Sequence, residues 1–112
     1  GADVLTGGGS NDIFRYTSIG DSAVGNGDTI TDFNASNSED IFLDGLLHGA
    51  FSFLGADTNA FTGTGNTEAH FNDAADLLSI DVNGDGTADM EITLTGMSLS
   101  GLSAADFTVT SS

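Results

Sequence analysis

Apolar and polar residues alternate over short distances, and no segment keeps a helical period for long. Asp28-Thr29-Ile30-Thr31-Asp32-Phe33 alternates, which predicts a half-buried strand with Ile30 and Phe33 as core contacts. Asp40-Ile41-Phe42-Leu43 predicts another, with Ile41 and Leu43 on one face. Residues 51–63 read as a ragged strand pair around Phe51, Phe53 and Phe61, broken by Gly55-Ala56-Asp57. Glu68 to Phe71 reads as a short strand. Leu77 to Val82 and Met90 to Leu94 are the clearest strands, and Asn83-Gly84-Asp85-Gly86 between them carries two strong turn dipeptides. Two stretches read as helical turns. One is Gly45 to His48; the other is Ser103 to Phe107, with Ser103 as N-cap and Asp106 at its third position. The pattern predicts an all-β fold with one or two short helices.

The N-terminal residues follow a different rule. Gly7 to Arg15 fits the nine-residue template G-G-x-G-x-D-x-U-x, where U is a large apolar residue, except that Ser10 replaces the fourth glycine. Gly1 to Thr6 fits positions four to nine of the same template. The glycines allow a tight turn whose carbonyls face a cation, and the Asp adds a carboxylate. The last three residues make a short strand whose middle side chain, Leu5 or Phe14, points inward. The chain is therefore expected to start in mid-repeat, as the C-terminal end of a longer, repetitive, secreted protein.

Composition narrows this. Seventeen acidic residues face one basic residue, Arg15, for a formal charge of −16 in 112 residues. Such a charge opposes the compact state. Eight Phe and a hydrophobic fraction of 38% argue against simple disorder. The acids sit in Gly- and Asn-rich turns, where hard cations find oxygen ligands. Nucleic acid and anionic membranes are excluded as partners, because one Arg cannot neutralise phosphate. The absence of cysteine excludes disulfides and thiolate metal sites. No apolar run approaches the roughly 18 residues of a spanning helix, so no membrane insertion is expected.

The order of motifs is informative where each motif alone is weak. After the repeat come Asp28-Thr-Ile-Thr-Asp32-Phe33, Glu39-Asp-Ile41-Phe-Leu43 and Phe61-Thr-Gly-Thr-Gly65. Asp81-Val-Asn-Gly-Asp-Gly86 with Ala88-Asp89, and then Leu102-Ser-Ala-Ala-Asp106-Phe107, complete the series. This order resembles the C-terminal domain of serralysin-type metalloproteases and other RTX (repeats-in-toxin) exoproteins, over nearly the whole chain. The resemblance implies the end of a calcium-binding parallel β-roll, residues 1–16, followed by an antiparallel β capping region, residues 17–112. It also implies export by a type I (ABC) secretion machinery that reads an uncleaved C-terminal signal. Gly1, Asp3, Gly7, Gly9 and Asp12 fall on the roll's calcium-ligating turn positions, and Asp28 and Asp32 on the acidic pair that can close its last site. Chain ending by Thr110-Ser111-Ser112 departs from the proteases, which usually stop near the Asp106-to-Val109 motif. The parent need not be a protease, and no His-Glu-x-x-His zinc motif occurs.

Several readings stay open in the sequence. Asp28 is the first candidate to share a cation with Asp3; Asp21, eighteen residues after Asp3, is its rival. Asp81, Asn83, Asp85 and Gly86 match the first half of an EF-hand loop, and Asp89 adds a further oxygen. Position twelve is Ile92 instead of a bidentate Glu, so a metal-free hairpin turn competes with a calcium loop. His48 and His70 belong to no motif, and Arg15 is expected to pair with a carboxylate. The function expected is a non-catalytic, secreted or cell-surface calcium module, joined to an upstream domain of the same polypeptide. The alternative is a surface- or glycan-binding module of an adhesin, an S-layer protein or a polysaccharide-modifying enzyme, for which an exposed aromatic or regular Thr array would be the signature.

Overall fold

The computed structural model describes residues 4–5, 13–25, 27–31, 33, 40–97 and 102–111. The described residues form nine strands in two sheets. They are β1 (Val4–Leu5), β2 (Ile13–Tyr16), β3 (Asp28–Ile30), β4 (Asp40–Gly45), β5 (Ser52–Ala56), β6 (Glu68–Asn72), β7 (Leu77–Asp81), β8 (Met90–Leu94) and β9 (Phe107–Ser111). The larger sheet has the order β1-β3-β8-β7-β6-β5, the smaller β2-β4-β9.

The chain thus steps from one sheet to the other through β1, β2, β3 and β4. It then makes β5 to β7 as an excursion in the larger sheet, and resumes the alternation with β8 and β9. The resumed strands pair parallel to earlier ones: β3 with β8, and β4 with β9. Parallel stacking puts like positions in columns. Phe14, Ile41 and Phe107 form one in the smaller sheet, and Tyr16, Leu43 and Val109 the next. Ile30 aligns with Leu94 in the larger sheet. These side chains face between the sheets and, with Phe71, Leu78, Ile80, Met90 and Ile92, form one apolar core, against which Val109 packs partly buried. Phe107 of β9 joins the two edge strands, its ring 5.3 Å from that of Phe51 and 5.4 Å from that of Phe53.

The all-β expectation holds, with helix confined to two 3-10 turns among the described residues, Ile19–Ser22 and Ala104–Asp106. Each has a capping box, Ser18 with Asp21 and Ser103 with Asp106; the second is the turn expected at Ser103. Three local expectations give way to long-range pairing. Antiparallel pairing joins only β6 to β7 and β7 to β8; the other named ladders are parallel. Gly45 to His48 is not a helical turn: β4 runs through Gly45, Leu46 bridges Ser111, and Leu47 N–H donates to the Thr110 carbonyl at 3.0 Å. Residues 51–63 contribute one strand, not two. β5 runs through Gly55, which adopts φ +86°, because β6 beside it supplies the ladder. No helix among the described residues is long and apolar enough to cross a membrane.

Candidate cation loop

β7 and β8 are antiparallel neighbours, with Ile80 opposite Met90. Residues 82–89 must turn between them. This is longer than a tight hairpin, and the side chains of the loop itself shape it. Asp81 Oδ1 accepts the Gly84 N–H at 3.0 Å, and its Oδ2 accepts that of Gly86 at 2.8 Å. Asn83 Oδ1 accepts from Asp85 N–H at 3.2 Å, and Asp85 Oδ1 from Thr87 N–H at 3.0 Å. Asp89 Oδ2 accepts from Val82 N–H at 2.9 Å, closing the loop. Acceptors spaced two and three residues from donors are what Asn and Asp offer in turns, so the D-x-N-G-D-G pattern dictates this path.

A second loop braces the first. Gly65 N–H donates to the Gly84 carbonyl at 3.0 Å, and Thr67 Oγ1 to that of Val82 at 2.8 Å. Gly84 has φ +75°, and a Cβ there would meet Gly65 and Asn66 main-chain atoms at 2.3–2.4 Å. Only glycine fits so close an approach. Glu68, at the start of β6, ties the bracing loop down by accepting from Thr62 N–H and Thr62 Oγ1, both at 2.8 Å.

This frame brings three carboxylates together. One oxygen each from Asp81, Asp85 and Asp89 lies within 4.8 Å of the others. Among the described residues this is the group of three or more His and acidic side chains close enough to share an ion. Asp81 is buried, Asp89 half-buried and Asp85 exposed. Burial pushes the Asp81 carboxyl above its ordinary 3.8; the Gly86 and Gly84 N–H groups oppose this, and the charges of Asp85 and Asp89 add to it.

The donor set fits calcium. Calcium takes oxygens at 2.3–2.6 Å, so two ligands on one ion stand at most about 5 Å apart. All donors here are hard oxygens, and each carboxylate oxygen engaged by one N–H keeps a further lone pair. Asn83 lies in the same loop with its Oδ1 turned to Asp85 N–H. Ile92, in the place of an EF-hand's last ligand, is fully buried in β8 and supplies core instead. The loop is held by strands and by the 61–67 brace, not by flanking helices.

The other predicted residues fall differently. Asp28 is 4% exposed. It shares the inner face of β3 with Ile30 and is in register with Ile92; its N–H donates to Ser22 Oγ at 2.9 Å. Asp21, its rival, is committed to its own turn, accepting from Thr17 N–H at 3.0 Å and Ser18 N–H at 3.2 Å. The Thr17 N–H, first among these bonds, holds its carboxyl below 3.8 against a partial desolvation. Gly1, Asp3, Gly7, Gly9, Asp12 and Asp32 lie outside the described residues, as does the side chain of Leu5. Arg15 does pair with a carboxylate: its Nε donates to Asp44 at 2.8 Å and its Nη2 makes a second contact. The ring of His70 stacks on Phe61 at 4.1 Å, and His48 Nδ1 is bonded to the Leu46 carbonyl at 3.1 Å.

Two features had no functional reading in the sequence. The Phe61-Thr-Gly-Thr-Gly65 stretch is the brace; its signal was a pair of glycines facing another glycine-rich turn, legible only once β6 and β7 are paired. Asp40 and Asp106 immediately precede Ile41 and Phe107, respectively, the first pair of the β4–β9 ladder. Burial raises the Asp40 carboxyl above 3.8, the charge of Asp106 adds to this, and the Thr108 hydroxyl opposes it.

The family model for the peptidase M10 serralysin C terminal matches residues 1–109 of the 112. No curated protein matches the chain.

Proposed function

Because the chain belongs to the serralysin C-terminal family of M10 peptidases, we propose that it is the calcium-dependent folding and export module of a larger secreted protein. The family supports a C-terminal module that is not itself the catalytic part. The observation that carries the calcium reading is the triad of Asp81, Asp85 and Asp89, with one oxygen from each inside a 4.8 Å group and Asp81 already desolvated. Desolvated like charges are costly unless a counter-charge joins them. A divalent cation there removes the repulsion and binds the folded chain alone, because the unfolded chain does not assemble the loop.

The remainder of the reading follows from the same balance. Where calcium is scarce, a chain of charge −16 stays open and can thread an exporter that reads its C-terminus. Where calcium is at millimolar level, sites of extracellular strength fill, at Kd of about 10⁻⁴ to 10⁻³ M. A second site pairs Asp3 with Asp28, with Gly1 and Asp32 beside them, while Asp12 and the turn glycines Gly7 and Gly9 belong to the turn on the opposite edge of the repeat; the alignment of Val4 with Thr29 supports the pairing of Asp3 with Asp28. The continued alternation of β3, β4, β8 and β9 between the sheets supports one domain, in which residues 1–16 end a repeat stack and 17–112 close it. The partners are an upstream domain of the same polypeptide and a type I exporter, and the setting is extracellular.

Calcium titration by calorimetry, on the parent chain and on Asp81→Ala, tests this. The parent should bind with at least one more site than the variant. Equal stoichiometry and heat in both would remove the 81–89 loop from the proposal.

A further inference from the structure

The sequence holds two Asn-Gly pairs, Asn26-Gly27 and Asn83-Gly84. Asn is among the chemically labile residues, and a following glycine offers no Cβ to hinder ring closure. The main-chain nitrogen of the glycine attacks the Asn Cγ. A C–N bond forms, the side-chain nitrogen leaves as ammonia with the proton from the glycine N–H, and a five-membered imide results. Water then opens either carbonyl of that ring, giving aspartate or isoaspartate.

We propose that Asn83-Gly84 is a covalent modification site gated by folding, reactive when the loop is open and shut when Asp81 and Gly65 hold Gly84. Asn83 is exposed, so water has access to its side chain. Gly84 is buried and held from two sides: its N–H donates to Asp81 Oδ1 and its carbonyl accepts from Gly65 N–H, each at 3.0 Å. The attacking nitrogen must lose its proton and swing toward Cγ. Here the proton is engaged by a buried carboxylate, and main-chain atoms of Gly65 and Asn66 stand 2.3–2.4 Å from the Cβ position of Gly84, leaving no room to swing. The Asn83 amide is itself tethered, its Oδ1 accepting from Asp85 N–H at 3.2 Å.

The two products have different consequences. Aspartate at 83 adds a fourth carboxylate to a loop that already has Asp81, Asp85 and Asp89. Isoaspartate lengthens the main chain by one carbon between residues 83 and 84, so Gly84 no longer meets both Asp81 and Gly65. A chain that waits unfolded therefore accumulates an irreversible change in the loop between β7 and β8. This gate depends on Asp81 as a hydrogen-bond acceptor and not on any bound cation.

The test incubates the whole chain with calcium at neutral pH, with and without unfolding urea, and follows each Asn by peptide mapping. In urea, Asn83 should deamidate ahead of Asn59, Asn66 and Asn72. In the folded protein its rate should fall by at least about tenfold, since reaction then waits for local opening. Equal rates at Asn83 in the two conditions, or an Asn83 no faster than Asn66 in urea, would overturn the proposal. Amide exchange of Gly84 gives a second reading: slow exchange is expected, and exchange at the rate of an open loop contradicts the gate.

Discussion

Glu68 and Asp81 are partners in register across β6 and β7, two carboxylates side by side on the outer face, exposed by only 4% and 0%. Like charges directly opposite in a sheet are destabilising. Each is satisfied by a different loop, Glu68 by Thr62 and Asp81 by Gly84 and Gly86. The pair therefore fastens both loops to the sheet, and the loops exclude water from it. Removing either acid should release a loop as well as a charge.

Asp81 separates these two roles. Asp81→Ala leaves the Gly84 and Gly86 N–H groups without their acceptor, at a cost of about 1–3 kcal/mol per unsatisfied group. Asp81→Asn keeps one acceptor oxygen and removes the repulsion from Asp85 and Asp89. In chelator, Asp81→Asn should lie between parent and Asp81→Ala in urea midpoint. In calcium, both variants should lose most of the parent's gain.

The approach at Gly84 gives a paired control. Gly84→Ala puts a methyl into Gly65 and Asn66 and should cost about 2 kcal/mol or more. Gly86→Ala shares the positive φ, at +90°, but its nearest neighbour is Gly63 Cα at 3.7 Å. It should cost about 1 kcal/mol, from backbone strain alone. Thermal midpoints of the two variants, measured side by side, check the difference.

Phe107 anchors the last strand. Truncating a buried Phe costs about 3–5 kcal/mol, and here it also unlinks β9 from Phe53 of β5 and from Phe51 just before it. Phe107→Ala should lower stability by that amount, while Val109→Ala, at a partly buried position of the same strand, should cost less. Equal small losses would contradict the packing described.

The pH dependence follows from signs. The carboxyls of Asp81 and Asp40 are raised in the folded chain, so the fold binds those protons more tightly than the unfolded chain does. In chelator, stability should therefore rise as pH falls from neutral through their folded values. Asp21 is lowered, so its contribution is present above 3.8 and is lost as pH falls through its folded value. Urea midpoints in chelator should pass through a maximum in the acidic range. With calcium present the rise should be weaker, because protons compete with the cation at Asp81.

Short-range pattern made much of the fold legible. Ile30, Ile41 and Leu43 alternate with polar neighbours and are fully buried, and the β7 and β8 strands were plain for the same reason. The spacing of Asp81, Asp85 and Asp89 around two glycines likewise pointed to one loop, and the structure brings them together. What the pattern hid depends on distant partners. Nothing near Leu47 reveals that its N–H meets Thr110, so the local pattern there reads as a helical turn. The parallel pairing of β3 with β8 joins residues separated by more than half the chain, and no residue-level signal encodes it.

Thermal unfolding of the whole chain in about 10 mM calcium, a hundredfold over a Kd of about 10⁻⁴ M, and in excess chelator tests the central claim most directly. A site at a hundredfold excess of calcium over Kd adds about 2.7 kcal/mol, and for a chain of this size each kcal/mol moves the midpoint by roughly 4–6 °C. The account predicts a midpoint higher by 10 °C or about that in calcium, with most of the gain absent from Asp81→Ala. The same midpoint in calcium and in chelator would contradict it.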